Sequence, residues 1–308
     1  MRVCDLAPGQ LQHLLGGSGL RLRTGPFVTC IRSSLDEVRD GVALHYGQHP
    51  VESDDGFADF EVAVDRKPGL RRWLKPQVRF LVDGEDIFTP LPGDQGFPML
   101  EWGLNWCVSG LAHQYLTLHA AVLEREGGAL ILPAPSGSGK STLCAGLLFN
   151  GWRLLSDELT LIEPDTCRIV PLPRPVSLKN ASIDVIRAFA PQARFGAVVE
   201  ETLKGRVAHF SPPHDAVSRA DDRAAPGWIA LPRYVAGAAT NLQPLGKGRA
   251  MMRLVESAFN YNIHARRGFA ALADLVERSD CFEFTYSRLD EAVQQFERLA
   301  MARAAGGA

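Results

Sequence analysis

The sequence predicts an α/β fold, with a β-rich N-terminal region over residues 1–95 and a larger domain over residues 96–308. Two observations predict it. In the first region, short strand-like runs are separated by clusters of Gly, Pro and Asp. From residue 97 onward, stretches with helical spacing alternate with apolar runs of strand length. A chain of 308 residues is long enough for one large domain or two ordinary ones.

The elements follow from apolar spacing. In the N-terminal region, strands are expected at residues 20–23, 27–31, 57–64 and 78–82. The later elements are expected as a helix over 97–116, strands over 119–124 and 129–133, a helix over 142–150, a strand over 152–156, helices around 252–259 and 269–275, a strand over 282–286 and a final helix from 289. Trp102 and Trp106 are expected to pack against the N-terminal sheet. Residues 190–227 form the least regular stretch, which predicts a functional loop or disorder.

Composition excludes several classes of function. With 33 basic and 35 acidic residues, the net charge is -2, so nothing favours nucleic acid or anionic membranes as partners. We expect no membrane span and no signal peptide, because no apolar run is long enough. The six cysteines are scattered without a C-x-x-C pair, which indicates small buried residues in a reducing compartment. A cytoplasmic location is therefore expected.

A glycine loop lies between a predicted strand and a predicted helix, at residues 134–142. Its Gly-Lys-Ser ending in this context predicts a phosphate-binding P-loop, whose backbone N–H groups and helix N-terminus attract a nucleoside triphosphate. Lys140 would reach the β- and γ-phosphates, and the Ser141 hydroxyl would bind Mg²⁺. The first Gly of the motif is replaced by Ala134, which we interpret as tolerable at a strand exit. The predicted nucleotide-binding residues are Ser136, Gly137, Ser138, Gly139, Lys140, Ser141 and Thr142.

Two neighbouring acids, Asp157 and Glu158, follow the strand after the P-loop helix. Phosphoryl transfer needs a carboxylate near the metal and the γ-phosphate, and an acid without metal can accept a proton from an attacking hydroxyl. The alternative is that Asp157 caps a turn and Glu158 is solvated. His119 opens the strand that leads back toward the P-loop; a lone histidine beside apolar residues is more often structural.

These segments together resemble the catalytic domain of HPr kinase/phosphorylase. The resemblance rests on residues 118–124, 134–141 and 151–158. It implies the mixed sheet of the HPr kinase and phosphoenolpyruvate-carboxykinase type. It also implies that Asp157 activates the acceptor hydroxyl and that Glu158, its acidic partner, binds the metal. His119 would lie near the reacting phosphate, as would Lys140.

Other runs are similar to the subgroup called HprK-related kinase A, at residues 20–28, 173–179, 204–209, 259–261 and 266–269. That subgroup is associated with exosortase/PEP-CTERM protein sorting, so the resemblance implies such components as partners. Two departures argue against phosphorylase activity and against HPr as the substrate. The acidic pair is Asp-Glu where true HPr kinases carry Asp-Asp, and their glycine- and isoleucine-rich signature is missing.

Basic residues offer further candidates. Arg174 and Lys179 either face the triphosphate or are solvated loop residues. Lys204, Arg206 and His209 either form a substrate-side lid or carry ordinary surface charge. The pair at 266–267 either reaches a neighbouring subunit in a homo-oligomer or ends a helix.

The expected function is transfer of the γ-phosphate of ATP, with Mg²⁺, to a hydroxyl group, the serine of a protein or peptide. Two alternatives stay open: a kinase acting on a small molecule such as a sugar or a lipid-linked hydroxyl, and a nucleotide-binding switch that transfers no phosphate.

Overall fold

The structure, a computed structural model, describes residues 1–53, 55–69, 74–135 and 137–306. Its helices are α1 Pro8–Gly16, α2 Asp36–His45, α3 Gly96–Leu111, α4 Lys140–Leu148, α5 Ala181–Phe189, α6 His214–Ser218, α7 Lys247–Ser257, α8 Tyr261–Glu277 and α9 Leu289–Gly306. Its strands are β1 Leu20–Thr24, β2 Phe27–Arg32, β3 Phe60–Arg66, β4 Gln77–Val82, β5 Glu85–Asp86, β6 Leu91–Pro92, β7 Leu116–Arg125, β8 Gly128–Pro133, β9 Arg153–Ser156, β10 Leu159–Ile162, β11 Ile169–Val170, β12 Val176–Lys179, β13 Val199–Thr202, β14 Gly205–Phe210, β15 Ala225–Tyr234, β16 Asn241–Pro244 and β17 Asp280–Tyr286.

The N-terminal sheet has the strand order β1-β2-β3-β4-β5, and β6 also pairs with β4. Neighbouring strands are antiparallel except β2 and β3, which are parallel. Along β3, Phe60, Val62 and Val64 are buried and alternate with more exposed side chains, as their spacing predicts. The sequence did not predict α1 and α2. The apolar stripe of α2 is short, with Val38 and Val42 as its only buried aliphatic residues.

Residues from later in the chain complete the core of this sheet. Leu100 and Leu104 of α3 contribute to it, together with Leu159, Leu161 and Leu172 from the region after the P-loop helix. The two expected tryptophans of α3 also pack against this core. The apolar surface of the N-terminal sheet is therefore covered by segments beyond residue 95, and the division of the chain near that residue stays a prediction.

The central sheet is mixed. Its order is β11-β10-β7-β8-β15-β17-β16, with β9 also paired to β7. The strands β8, β15 and β17 are parallel to one another, whereas the other neighbours are antiparallel. The prediction of a mixed α/β fold with a mixed sheet is confirmed.

Helices cover both faces of the central sheet. Leu130 and Leu132 of β8 belong to the core that includes α4, α5 and α9. Ala129 and Ile131, whose side chains point to the opposite face, belong to the core that includes α7 and α8. A small antiparallel sheet, β12-β14-β13, packs beside α4. The candidate site lies where the glycine loop, the turn after β9 and this small sheet meet.

Two predicted segments differ from the structure. The helix expected over 97–116 ends at Leu111, because residues from Leu116 onward pair with β8 and β10 as strand β7. The stretch 190–227 was expected to be irregular, and this is wrong: it contains β13, β14, α6 and the first residues of β15. Strand β14 is buried continuously from Val207 to Phe210, so it lacks the alternation that reveals a strand with one exposed face.

The cysteines follow the prediction with one exception. None of the six is disulfide-bonded, and five are buried; Cys4 is exposed. None of the described helices is both long enough and apolar enough to cross a membrane.

Candidate active site

The glycine loop connects β8 to α4 at the edge where β8, β15 and β17 have their C-terminal ends. The last residues of two of these strands hold it: the Tyr234 N–H donates to Ser138 O at 2.9 Å, and the Tyr286 hydroxyl donates to Gly139 O at 2.8 Å. Gly137 and Gly139 have φ of 85° and 88°. A Cβ on Gly139 would lie 2.4 Å from the Tyr286 hydroxyl. The loop therefore needs glycine for backbone conformation and for close approach; Ser136 lies outside the described residues.

Lys140 is the first residue of α4 and is 6% exposed. Its Nζ has no hydrogen-bond partner among the described residues, and neither has the Ser138 Oγ. Burial lowers the pKa of Lys140, and the charges of Asp157 and Glu158 oppose that shift. An enclosed ammonium without a partner is costly, so this position fits an anionic ligand. The half-buried Ser141 and Thr142 lie in the same first turn, where helix N–H groups lack intrahelical acceptors.

Asp157 follows β9 directly and is 6% exposed. Its Oδ2 accepts hydrogen bonds from the Ser141 hydroxyl at 3.4 Å and from the Ser177 N–H at 3.2 Å, whereas its Oδ1 has no partner within the described part of the chain. Burial and the negative charge of Glu158 raise the pKa of Asp157 to about 6. A carboxyl with this pKa is ionised near pH 7 and can still accept a proton.

Glu158 is half-buried in the turn between β9 and β10. Its Oε1 lies 3.7 Å from the Lys179 Nζ, and its Oε2 accepts a hydrogen bond from the Asn105 Nδ2. Burial would raise the pKa of Glu158, but Lys179, Lys204 and Lys140 outweigh it, so the pKa lies below its ordinary value. The two carboxyl groups thus have pKa values shifted in opposite directions, as expected of an acid–base pair with divided roles.

His119 lies on β7, in register with Leu159, which follows the acidic pair. Its ring centroid is 5.8 Å from that of Phe259. Burial, and then the charge of Lys140, lower the pKa of His119 to about 4. The structure therefore places the predicted histidine beside the acidic pair, in its neutral form near pH 7.

The other basic candidates lie in different parts of the structure. Lys179 and Lys204 belong to the site. Lys179 pairs with Glu158, and the Lys204 Nζ lies 4.8 Å above the ring of Trp102, which lines a cleft together with the acidic pair. His209 also lines this cleft; it is 3% exposed, and its Nε2 has no partner among the residues described. Arg206 points elsewhere, toward Asp184 and Glu200.

Arg174 is buried, so it is not a solvated loop residue, and its guanidinium is already bound by other side chains. Its guanidinium bonds to Glu101 and to the Asn105 Oδ1. The pair at 266–267 was interpreted as reaching a neighbouring subunit or as ending a helix. It lies inside α8 and ends no helix, and Arg267 binds Asp165 on the surface.

Magnesium fits this donor set. In the described ranges, no group of three or more His, Cys, Asp or Glu side chains is arranged as a metal centre. Mg²⁺ usually needs only one or two protein oxygens, and waters and substrate phosphates supply the rest. Ser141 and the two carboxylates offer such oxygens. The structure brings Asp157, and not Glu158, into contact with Ser141.

Sequence reasoning missed Asn105, Glu101 and Ser177, which line the cleft with the acidic pair. A signal existed for two of them: Glu101 and Asn105 are polar residues one turn apart in the otherwise largely apolar helix α3. Ser177 had no such signal, because only the fold of β12 brings its N–H to Asp157.

Comparisons with family models and with solved structures both find similarities. The family model described as SynChlorMet cassette protein ScmC matches residues 103–185. That range contains the glycine loop, His119 and the acidic pair, but it is less than a third of the chain. No curated protein matches. Among solved structures, the Hpr(Ser) kinase/phosphatase from Coxiella burnetii matches with 11% identity, 60% of this chain and 98% of that chain covered, and a TM-score of 0.25.

A match with this TM-score supports no conclusion about function. The family model that matches is that of ScmC, so membership of the HprK-related kinase A subgroup stays a prediction. Nucleotide and metal binding have to be argued from the site itself.

Proposed function

We propose that this protein is a Mg²⁺- and ATP-dependent phosphotransferase that passes the γ-phosphate to the serine hydroxyl of a protein or peptide. One observation carries the proposal. Among the described residues, the Lys140 ammonium is enclosed without a hydrogen-bond partner at the start of α4, directly after a glycine loop, and the opposite charges that act on it are those of Asp157 and Glu158. This arrangement stabilises an anionic phosphate chain beside two carboxylates.

The triphosphate would lie along residues 137–142, with loop and helix N–H groups around its oxygens and Lys140 on the β- and γ-phosphates. Bound Mg²⁺ neutralises phosphate charge and orients the reacting groups. Ser141 and Glu158 would hold it. Glu158 suits this role because its lowered pKa keeps it anionic.

Asp157 would accept the proton of the attacking hydroxyl. Its pKa of about 6 is high enough to favour proton transfer and low enough to leave it ionised near pH 7. The Ser177 N–H donates to one oxygen of Asp157, and the other oxygen has no partner among the described residues. His119, neutral near pH 7, would hydrogen-bond to the phosphate or the acceptor and would add no positive charge.

The resemblance adds the biological setting of this proposal. We place the enzyme in the cytoplasm, where ATP is available and its cysteines stay reduced. Exosortase/PEP-CTERM components as partners, and a homo-oligomeric state, belong to the proposal on the same basis.

The test is transfer of label from γ-labelled ATP to a native cell lysate, comparing the parent with Asp157→Asn and with a control on the surface, Asp221→Asn. We expect acid-stable label on a polypeptide that a dialysis membrane retains. Asp157→Asn should reduce transfer by about 10²–10⁴-fold, a typical effect of removing a general base, with nearly unchanged nucleotide affinity. Asp221→Asn should behave as the parent, because that side chain is 86% exposed.

Other results would change the assignment. Label confined to the dialysable fraction would indicate a small-molecule kinase, and steady hydrolysis without transferred label would indicate a nucleotide switch. Equal loss of binding and transfer in Asp157→Asn would move Asp157 to the metal, beside Ser141.

A further inference from the structure

A buried polar network connects the N-terminal elements to the acidic pair. Glu101 and Asn105 lie one turn apart on α3, and Arg174, from the segment between β11 and β12, lies against both. Glu101 is 4% exposed and Arg174 is 7% exposed, so their ion pair is shielded from solvent. The Tyr46 hydroxyl, at the end of α2, donates to the other oxygen of Glu101.

The network fixes the orientation of one amide. The Arg174 Nη1 donates to the Asn105 Oδ1 at 2.8 Å. A guanidinium can only donate, so the oxygen of the amide must face Arg174 and its nitrogen must face away. That nitrogen donates to the Glu158 Oε2, whereas Lys179 contacts the Glu158 Oε1.

We propose that Asn105 is a positioning residue of the active site, which holds the Glu158 carboxylate in the orientation that binds the divalent cation. The inference rests on the proposed function. Side chains that orient a metal ligand in this way commonly determine metal affinity without touching the metal. Through Asn105, helix α3, which also packs against the N-terminal sheet, contributes to the cation site.

The network does not need Asn105 to neutralise Arg174. The guanidinium also donates to the Glu101 carboxylate at 2.8 Å, to Glu101 O at 3.0 Å and to the Tyr46 hydroxyl at 3.3 Å. Glu158, in contrast, receives a side-chain amide hydrogen bond from Asn105. Loss of Asn105 should therefore affect Glu158 more than it affects folding.

The test measures the affinity of Mn²⁺ for the protein saturated with a non-hydrolysable ATP analogue, by electron paramagnetic resonance of the free ion. Asn105→Leu should weaken Mn²⁺ binding by about 10–100-fold, the usual cost of removing such an orienting group. Without metal, the Asn105→Leu protein should bind the ATP analogue with the affinity of the parent. A general folding defect would lower that affinity as well. Asn150→Leu is the matched control, because it removes an amide that donates to Gly146 O at the far end of α4.

A double variant tests whether Asn105 acts through Glu158. If it does, Asn105→Leu combined with Glu158→Gln binds Mn²⁺ as weakly as Glu158→Gln alone, because the second loss adds nothing. Additive losses, or an Asn105→Leu protein with the Mn²⁺ affinity of the parent, would overturn the inference while leaving the proposed function intact. A parent that binds no Mn²⁺ with the analogue would overturn both. If Asn105→Leu does not fold, Asn105→Ser, which leaves room for water beside Arg174, takes its place.

Discussion

The ammonium groups of Lys247 and Lys140 have opposite environments in this protein. The Lys247 Nζ donates to the carbonyl oxygens of Val276, Glu277 and Ser279 and so ties α7 to the end of α8. The Lys140 Nζ is enclosed and has no partner in the described part of the protein. Lys247 therefore stabilises the fold, whereas Lys140 costs stability, as expected of a side chain retained for a ligand.

Replacing each lysine by methionine should separate these roles. Lys140→Met should raise the free energy of unfolding by roughly 1–3 kcal/mol, because a buried unpaired polar group is removed, and should abolish tight ATP binding. Lys247→Met should lower the free energy of unfolding and leave ATP binding unchanged. Denaturant titration and a fluorescence binding assay measure both quantities. Parent-like ATP binding by Lys140→Met would refute the P-loop assignment.

At the scale of elements, the site depends on how strand ends hold the glycine loop. Tyr234 and Tyr286 end β15 and β17, and both bind the backbone of the loop. Gly139 lies against the Tyr286 hydroxyl, whereas a Cβ on Gly137 would have no atom of the described residues within 4 Å. The same positive φ thus occurs at two glycines with different steric surroundings.

Gly139→Ala should therefore be more harmful than Gly137→Ala. Both substitutions carry the backbone strain of a positive φ, about 1 kcal/mol, but only Gly139→Ala also drives a methyl group into Tyr286. We expect Gly139→Ala to lose more thermal stability and more nucleotide affinity. Tyr286→Phe combined with Gly139→Ala should recover part of the loss, because the clashing oxygen is removed. Equal effects of the two alanines would show that the contact with Tyr286 is unimportant.

At the scale of the whole molecule, buried neutral histidines lie where the N-terminal region, residues 1–95, contacts the rest of the chain. The His45 ring, on α2, stacks on Phe97 at 5.1 Å and lies edge-on to His209 of β14 at 6.3 Å. The His49 Nε2 donates to Pro173 O at 2.8 Å. Burial lowers the pKa of each of these three histidines to about 4.

These histidines should make the protein sensitive to acid. Because each folded-state pKa lies below the ordinary value of 6.5, the unfolded chain binds more protons between pH 6.5 and pH 4, and stability falls over that range as pH decreases. One such histidine lowers the free energy of unfolding by up to about 3 kcal/mol as the pH falls through this range. His49→Gln, whose amide can still donate to Pro173, should reduce this loss in denaturant titrations at several pH values. The exposed His13→Gln should not, and an unchanged slope in His49→Gln would contradict the prediction.

The sequence by itself determined the features that local patterns encode. The order of strand, glycine loop and helix was predictable because Gly-Lys-Ser and apolar periodicity are written in consecutive residues. The acidic pair was visible for the same reason, and so was the α/β class, whereas the mixed sheet was implied only by the family resemblance. Helices α1 and α2 escaped because their apolar stripes are short, and β14 escaped because burial on both faces removes its alternation.

Only the tertiary structure decided which residues surround the acidic pair. Arg174 and Asn105 are 69 positions apart, and Asn105 and Glu158 are 53 apart, so no local pattern joins them. The different pKa values of Asp157 and Glu158 likewise depend on burial and on charges brought from β12 and from the turn before β14. Motifs and spacing indicate which residues are reactive. The pKa of each of them depends on burial, nearby charges and hydrogen bonds that exist only after folding.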